Sequence, residues 1–206
     1  PVPLHMALEA EILVLPLPVC REGGLNLPLT ETELDPEQLW PRLRYDQLIL
    51  GGMTEELGPR LMAEFGLTVV DYYRREEIQV TNAVPTAEGA IQRAMEATDT
   101  TIHGSRCLVL GFGRTGKLLA DRLKGMGAQV TVAARKYGDL AWIEALGFTS
   151  LAVKDLPGRL EAFDLIFNTV PALLLDASRL AETKEVCLLL ELASAPGGVD
   201  SRAAKA

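Results

Sequence analysis

The sequence predicts an α/β protein made of two α/β domains joined by a long helix. Short apolar segments without two-residue alternation are separated by segments whose apolar residues recur at helical spacing. This rhythm is typical of parallel sheets covered on both faces, and it occurs in both halves of the chain. A glycine-rich stretch at 111–116 also falls between such a strand and such a helix.

The composition indicates a soluble, cytoplasmic globular protein. The chain has 206 residues and a formal net charge of −8, which argues against non-specific binding of nucleic acid. No apolar run approaches the ~20 residues that span a bilayer. The three cysteines lie far apart in apolar segments, as reduced buried thiols do, and no spacing of metal ligands occurs. We therefore expect no metal site and no membrane or nucleic-acid partner.

In the first half, strands are predicted at 10–18, 46–52 and 67–73, with helices at 34–44 and 54–66. Thr54 is the expected N-cap of the second of these helices. We assign 1–84 to an incomplete, flavodoxin-like domain on the substrate side that lacks its opening strand. The chain begins Pro-Val-Pro without Met and stops at "SRAAKA" after a loop, so we expect it to be part of a longer protein.

Residues 85–103 are predicted to form the linking helix, with Pro85 and then Thr86 at its entry and Thr86 as its N-cap. Free N–H groups at Thr86 and Ala87 would then suit a carboxylate of a substrate. An ordinary capped helix is the alternative. A helix that joins two α/β domains predicts a ligand cleft between them.

Residues 104–206 are predicted to form a dinucleotide-binding domain of the Rossmann type without its C-terminal helix. Gly111, Gly113 and Gly116 fit the pattern G-x-G-x-x-G in the strand-to-helix context that this motif requires. The first glycine permits the turn, the second admits the pyrophosphate, and the third allows close packing of helix on strand. The cofactor-binding residues predicted in this turn are Gly111, Phe112, Gly113, Arg114, Thr115 and Gly116.

Arg135 and Lys136 end the second strand of this domain, where NAD-binding proteins carry an acid for the ribose 2′-hydroxyl. A cation cannot accept that hydrogen bond but can pair with a 2′-phosphate. Both residues are therefore predicted to bind the cofactor, which we expect to be NADP. A solvated basic turn is the alternative.

Two later strands end in turns that an open α/β sheet presents to its crevice. Further cofactor contacts are predicted at Asn168, Thr169, Val170, Pro171, Ala193 and Ser194. Substrate contacts are predicted at Pro196, Gly197 and Gly198. Ordinary turns after strands are the alternative for both.

The segments "NAVPTAEGAIQRAMEATDTTIHGSRCLVLGFGRTGKLLADRLKGMGAQVTVAAR", "FNTVPALLL" and "LASAPGGVD" resemble the dipicolinate synthase A-subunit family. The resemblance covers most of 79–206 and is looser over the first 78 residues. It implies NADP-dependent oxidation of a dihydrodipicolinate-type dicarboxylate to dipicolinate. The reaction would lie on a branch of the lysine pathway and take place during sporulation. It also implies that the partner is a flavoprotein-like B subunit, with the mother-cell cytoplasm as the location. Glu191 departs from the shorter Asp expected there.

Two other classes of function stay open. One is a different two-domain NAD(P)-dependent oxidoreductase of hydroxy or amino acids, which would need a His–carboxylate or Lys–Asp pair that the sequence does not clearly offer. The other is a non-catalytic NADP-binding module that acts with a partner. We expect a homo-oligomer and name no general acid or base.

Overall fold

The computed structural model describes residues 3–21, 23–27 and 34–205 of the chain. The chain divides after Gln79 into two compact units, residues 1–79 and 80–206. Each unit contains a parallel sheet, so the predicted α/β class with two α/β parts is confirmed. None of the helices in the described ranges is both long and apolar enough to cross a membrane.

The first unit is built on a small parallel sheet. The strands of this unit are β1 (Ile12–Val14), β2 (Cys20–Arg21), β3 (Gly24–Leu25), β4 (Leu48–Gly51) and β5 (Val69–Asp71). Its helices are α1 (Leu4–Leu8), α2 (Pro36–Leu39) and α3 (Leu57–Phe65), with 3₁₀ turns at Trp40–Arg42 and Tyr72–Arg74. The sheet order is β1-β4-β5, and β2 pairs with β3 in an antiparallel ribbon. Ile49 of β4 packs into an apolar core around the fully buried Trp40.

The predicted N-cap of α3 is wrong. Thr54 is buried, and its backbone N and Oγ1 donate to Oδ2 of Asp71 at 2.7 and 3.1 Å. The helix begins three residues later, and its N-cap residue Glu56 makes no side-chain cap bond. Burial alone would raise the pKa of Asp71, but the hydrogen bonds from Thr54, Tyr73 and Met53 outweigh it and lower that pKa. The Thr54 hydroxyl is thus bonded to a carboxylate on another strand and does not cap α3.

One long helix, α4 (Glu76–Ala97), runs across the division between the units. The predicted start at 85 is therefore wrong: Pro85 lies inside the helix, and Glu76 and Glu77 occupy the first turn, where carboxylates are favoured. Proline is compatible with a first helical turn, so the local pattern allowed either interpretation. Ala83, upstream of Pro85, is buried at helical spacing from Ala87 and Ala90, so the packed face of α4 begins before the proline and overrides the local signal.

The second unit has five strands: β6 (Arg106–Leu110), β7 (Gln129–Ala134), β8 (Thr149–Ala152), β9 (Leu165–Asn168) and β10 (Leu188–Glu191). Its other helices are α5 (Arg114–Gly125), α6 (Tyr137–Ala145) and α7 (Ala177–Leu180), with 3₁₀ turns at Val153–Asp155, Leu160–Ala162 and Ala203–Lys205. All neighbouring strands are parallel, in the order β8-β7-β6-β9-β10. The chain first adds strands on one side of β6 and then continues on the other. This reversal creates a switch point between β6 and β9, where open α/β sheets bind ligands.

Both faces of the second sheet are covered, as the unalternating apolar strands predict. Cys107 and Val109 of β6 join a core that includes residues of α4 and α5. Leu108 and Leu110 of the same strand join the core on the opposite face, with Leu156, Leu160 and Phe163. The buried sheet therefore presents its carboxyl ends, and the turns that follow them, to ligands.

Candidate functional site

The glycine-rich turn lies between β6 and α5, at the switch point. Gly111 has φ +102°, and a Cβ there would fall 2.5 Å from Oγ1 of Thr169 and 2.9 Å from Cγ2 of Val170. A Cβ on Gly116 would overlap the carbonyl oxygen of Gly111. Both positions therefore require glycine: the first for its backbone conformation and the second for the packing of helix on turn.

Gly113 meets a different demand. It is the N-cap of α5, and a Cβ placed on it would have no atom within 4 Å. The first intrahelical bond of α5 is donated by Lys117 to the carbonyl of Gly113, at 3.0 Å. The N–H groups before Lys117 thus lie in the first turn, at the positive end of the helix dipole. The space around a Cβ on Gly113 is open, and the binding of a pyrophosphate at this helix start stays a prediction of the sequence.

Phe112 differs from its neighbours in this turn. Its side chain is buried and belongs to the apolar core, and Nζ of Lys117 lies 5.1 Å from the ring centroid. The side chain therefore anchors the turn from inside. Only its backbone can face a cofactor.

Arg135 and Lys136 directly follow β7 and are both exposed. Within the described part of the chain, neither side chain makes a hydrogen bond or an ion pair. Lys136 is also the N-cap residue of α6 and makes no side-chain cap bond. Two cations without a partner in the described ranges thus stand where an NAD site carries an acid.

The turn after β9 is fixed from inside by Asn168, which is fully buried. Its Nδ2 donates to the carbonyl of Val170 at 3.0 Å and to Oε1 of Glu191 at 2.9 Å. Its Oδ1 accepts from the N–H of Val170 at 3.1 Å. Since the amide is buried and fully used, the prediction that the Asn168 side chain contacts the cofactor is wrong. The residue shapes the turn instead.

Thr169 joins the two strands of the switch point. Its N–H and its Oγ1 both donate to the carbonyl of Leu110, at 2.9 and 2.8 Å. Val170 and Pro171 follow it; Val170 is partly exposed and Pro171 is exposed. These two residues, with the turn of Gly111, line the carboxyl edge at which a ligand would lie.

The loop after β10 is held by Glu191, a residue that sequence reasoning noted only as a departure from an expected Asp. Its Oε1 accepts from the N–H of Ala193 and its Oε2 from the N–H of Gly198, both at 2.9 Å. The loop also contains the exposed residues Ser194 and Pro196. The sequence signal for this role was a glutamate at a strand end, seven residues before Gly198. The other partner of Glu191, Asn168 on β9, is remote in sequence.

Gly198 is buried inside this loop, not displayed on it. A Cβ there would overlap the Asn168 amide and the carbonyl of Val170, and its own carbonyl accepts from Leu174 and Leu175 at 2.9 Å. The prediction that Gly198 contacts a substrate is therefore wrong. Gly197, partly exposed at φ +84°, lies at the turn of the loop.

The predicted anion site at Thr86 and Ala87 does not exist. Both residues lie in the middle of α4, away from the helix start. Oγ1 of Thr86 donates to the carbonyl of Asn82 at 3.0 Å, and Ala87 is fully buried. Their N–H groups belong to a helix interior, so the basis for substrate binding there is removed.

The cysteines of the second unit do not offer a nucleophile. Burial, with a smaller contribution from Asp164, raises the pKa of the Cys107 thiol to about 12. Burial also raises the pKa of Cys187 to about 11. Both thiols are therefore protonated at neutral pH, and thiolate chemistry is not available to them.

Comparison with known proteins agrees with this geometry. Residues 62–199, more than half of the chain, match the family model of the D-isomer specific 2-hydroxyacid dehydrogenase NAD binding domain. The A subunit of dipicolinate synthase from Bacillus subtilis is 35% identical over 158 residues, which are 77% of this chain and 53% of that protein. The chain thus spans about half the length of this relative.

Solved structures give the same result. The crystal structure of the dipicolinate synthase A-subunit from Bacillus halodurans superposes with a TM-score of 0.82 and 32% identity, over 95% of this chain and 68% of that chain. The corresponding structure from Bacillus subtilis gives 0.79 and 31%, over 95% and 66%. These matches identify an NAD(P)-binding domain of the dehydrogenase type. The chain therefore belongs to the D-isomer specific 2-hydroxyacid dehydrogenase NAD-binding-domain family, and within it resembles the A subunit of dipicolinate synthase.

Proposed function

We propose that this chain is the NADP-binding oxidoreductase subunit of a dipicolinate synthase. The observation that carries the proposal is the pair of exposed cations Arg135 and Lys136 at the end of β7. They follow a glycine-rich turn in which Gly111 and Gly116 cannot be replaced without overlap or strain. An acidic chain that keeps two adjacent cations here, without a partner among the described residues, favours a 2′-phosphate over a 2′-hydroxyl.

Two groups of residues would hold the cofactor, one at its pyrophosphate and one at its nicotinamide. The turn from Gly111 to Gly116, with Arg114 and Thr115 in the first turn of α5, suits the pyrophosphate. Thr169, Val170, Pro171, Ala193 and Ser194 form the carboxyl edge that suits the nicotinamide. When bound, oxidised NADP supplies a hydride acceptor, so a dihydropyridine ring that loses one hydride and one proton becomes aromatic.

The proposed substrate is a dihydrodipicolinate-type cyclic dicarboxylate. Support comes from the likeness to the A subunit of dipicolinate synthase over most of this chain. Pro196 and Gly197, in the loop that Glu191 fixes, are the remaining proposed contacts from this chain. Aromatisation favours loss of the hydride, so the residues need to orient the ring and exclude water more than to transfer protons.

The relative's name designates it as one subunit of an enzyme, which supports a second component. We propose a B-subunit partner of the flavoprotein-like kind, homo-oligomeric assembly of this chain, and action in the cytoplasm of the mother cell during sporulation. Oxidation of a 2-hydroxyacid is the second candidate, because the matching family model is named for that activity.

Titration calorimetry with NADP and NAD tests the cofactor. We expect NADP to bind at least about tenfold more tightly, a difference of ~1.4 kcal/mol, and the Arg135→Ala, Lys136→Ala double variant to erase the gap. Equal affinities for NADP and NAD in the unchanged chain would contradict the proposal.

Turnover tests the substrate. The chain with NADP, with and without a B subunit, is given the dihydrodipicolinate-type precursor or a panel of D-2-hydroxyacids, and reduced cofactor is followed at its absorbance band. If NADP is reduced with the cyclic dicarboxylate and not with the hydroxyacids, the result supports the dipicolinate synthase assignment. Reduction with a hydroxyacid instead would move the chain to the second candidate.

A further inference from the structure

A cavity of about 410 Å³ lies beside the carboxyl ends of β7 and β8. Ala134 and Ala152 are register partners at the ends of these two strands. Arg135 follows the first and Lys154 lies two residues beyond the second, so neighbouring strand ends bring both residues to the same cavity wall. Neither the motif nor the chain order links Lys154 to a cofactor.

The cavity combines cations with an apolar lining. Its cations are Arg135, Lys154 and Arg179, and no residue with a carboxylate stands among the described residues that line it. Apolar side chains form the rest of the wall, contributed by Leu140, Ala152, Val153, Leu173 and Leu174. An apolar pocket of this size with a few convergent charged groups is typical of sites for small ligands.

The three cations are not equivalent. Arg179 is used internally: its Nη1 donates to the carbonyl of Leu174, and Asp176 lies close enough for the arginine charge to help lower the pKa of that carboxyl. It therefore braces the wall. Arg135 and Lys154, within the described ranges, make no hydrogen bond or ion pair.

Lys154 has an aromatic neighbour instead of an anionic one. Its Nζ lies 6.0 Å from the ring centroid of Tyr137, which is 77% exposed. A contact of this kind at an exposed site stabilises weakly, by about 0.5–1 kcal/mol. The ammonium group is therefore not neutralised by this contact, and Lys154 and the Tyr137 ring both line the cavity.

We propose that Lys154 is a specificity-determining residue that, together with Arg135, binds the 2′-phosphate of the cofactor's adenosine. This rests on the proposed function, since it assumes that NADP is the cofactor. It goes beyond the glycine-rich turn and the Arg-Lys pair, because it assigns part of the preference for NADP over NAD to a residue that follows β8. Tyr137 and the apolar lining then face the adenosine.

The test uses two probes that lack nicotinamide, ADP-ribose and its 2′-phosphate, titrated calorimetrically into the full chain. We expect Lys154→Ala to lower the affinity for the 2′-phosphorylated probe about tenfold, as loss of a charge-assisted hydrogen bond does, with the affinity for ADP-ribose unchanged. Lys154→Arg should retain the preference. Arg159→Ala removes the same charge from an exposed site that does not line this cavity, and should change neither affinity.

The outcomes separate this inference from the proposed function. If the unchanged chain prefers the 2′-phosphate and Lys154→Ala keeps that preference while the Arg135, Lys136 variant loses it, only the role of Lys154 is overturned. If Lys154→Ala weakens both probes equally, Lys154 is a general contact and the inference fails. If the unchanged chain shows no preference, or binds neither probe, the NADP assignment falls and this inference with it.

Discussion

Gly113 and Gly116 belong to one motif but meet opposite surroundings. A Cβ on Gly116 overlaps the Gly111 carbonyl, whereas a Cβ on Gly113 has open space around it, and Gly113 has a negative φ of −81°. An alanine could therefore adopt the backbone conformation of Gly113 without strain. The glycine at 116 serves the fold, whereas Gly113 has no such packing role and is proposed to serve the ligand.

Alanine substitution should separate these two roles. We expect Gly116→Ala to lower the free energy of unfolding by about 2 kcal/mol or more, because the new methyl group overlaps the Gly111 carbonyl and forces the backbone to shift. Gly113→Ala should leave that free energy within about 0.5 kcal/mol but weaken dinucleotide binding, since the methyl group occupies the approach of the pyrophosphate. Denaturant unfolding and calorimetric titration of both variants provide the check. An unstable Gly113→Ala protein would contradict the assignment.

The contact between Asn168 and Glu191 predicts a pH-dependent variant. Asn168→Asp places a buried carboxylate within hydrogen-bonding distance of the Glu191 carboxylate, and this raises the pKa of the new group in the folded state. The variant should therefore approach the stability of the unchanged protein near pH 4. Its deficit should grow as the pH rises, to at least about 2 kcal/mol at pH 7.

Melting temperatures of both proteins between pH 4 and 8 measure this deficit. In the matched control, Glu191→Gln is added to Asn168→Asp, which removes the repulsion and should restore part of the stability. A deficit that does not change with pH would show that the carboxylate pair is not its cause.

At the scale of elements, Pro85 makes α4 less stable than its sequence would otherwise allow. Proline inside a helix removes a hydrogen bond and crowds the preceding turn, at a cost of about 3 kcal/mol. Pro85 is exposed, so no packing in the described chain offsets this cost directly. Pro59, by contrast, is in the first turn of α3, where proline is tolerated.

We expect Pro85→Ala to raise the free energy of unfolding by about 1–3 kcal/mol, and Pro59→Ala to change it by less than about 0.5 kcal/mol. Urea titration followed by circular dichroism measures both. A loss of stability in Pro85→Ala would mean that the proline in α4 is required by the packing of this helix.

Asp164 ties three elements together at the amino end of the second sheet. It lies at the start of β9, accepts from the N–H of Arg106 at the start of β6 at 2.7 Å, and pairs with Lys184 ahead of β10. Burial alone would raise the pKa of Asp164, but these hydrogen bonds and charges outweigh it and lower that pKa. Its stabilising effect is thus present above the unfolded-state pKa and is lost as the pH falls through the folded-state value.

Asp164→Asn should lower stability by roughly 1 kcal/mol at pH 7, a modest figure because the side chain is 39% exposed. It should also flatten the fall in stability between about pH 5 and 3. Unfolding curves recorded across this range are compared with those of Asp121→Asn, an exposed acid on α5. An unchanged slope in Asp164→Asn would contradict the linkage.

The sequence predicted the elements whose signals are local and missed the contacts that are remote. The strand, glycine turn and helix of 106–125 followed from short-range pattern, and so did the parallel sheet. Thr54 was mistaken for a cap because its true partner, Asp71, lies 17 residues away. Glu191 was noticed only for its length, since Asn168, the residue it holds, is on another strand.

At the scale of the whole molecule, each unit has a core of its own. The core around Trp40 contains residues from the first unit alone, and the two cores of the second sheet contain residues from 87 onward. A ligand that binds the glycine-rich turn should therefore stabilise the second unit most directly.

Hydrogen exchange with and without NADP tests this expectation. When free NADP is at about 100 times its Kd, binding adds about 2.7 kcal/mol to the unfolding free energy of the unit that must be folded to bind it. We expect this gain in the slowest amides of 80–206, with little change in 3–79. The Arg135, Lys136 double variant at the same NADP concentration is the control, and equal protection of both units would show that they unfold as one.

The bond between Asn168 and Glu191 also has a consequence for how this site varies among related chains. The amide of Asn168 is buried, and the Glu191 carboxylate accepts from it and from the N–H groups of Ala193 and Gly198, so the two side chains act as a pair. A substitution at 191 removes an acceptor from the buried Asn168 amide and from two loop N–H groups, and a substitution at 168 removes the donor that the Glu191 carboxylate accepts from. Positions 168 and 191 should therefore change together in an alignment of relatives, and a chain with Asp at 191 should carry a shorter or differently placed loop at 192–198.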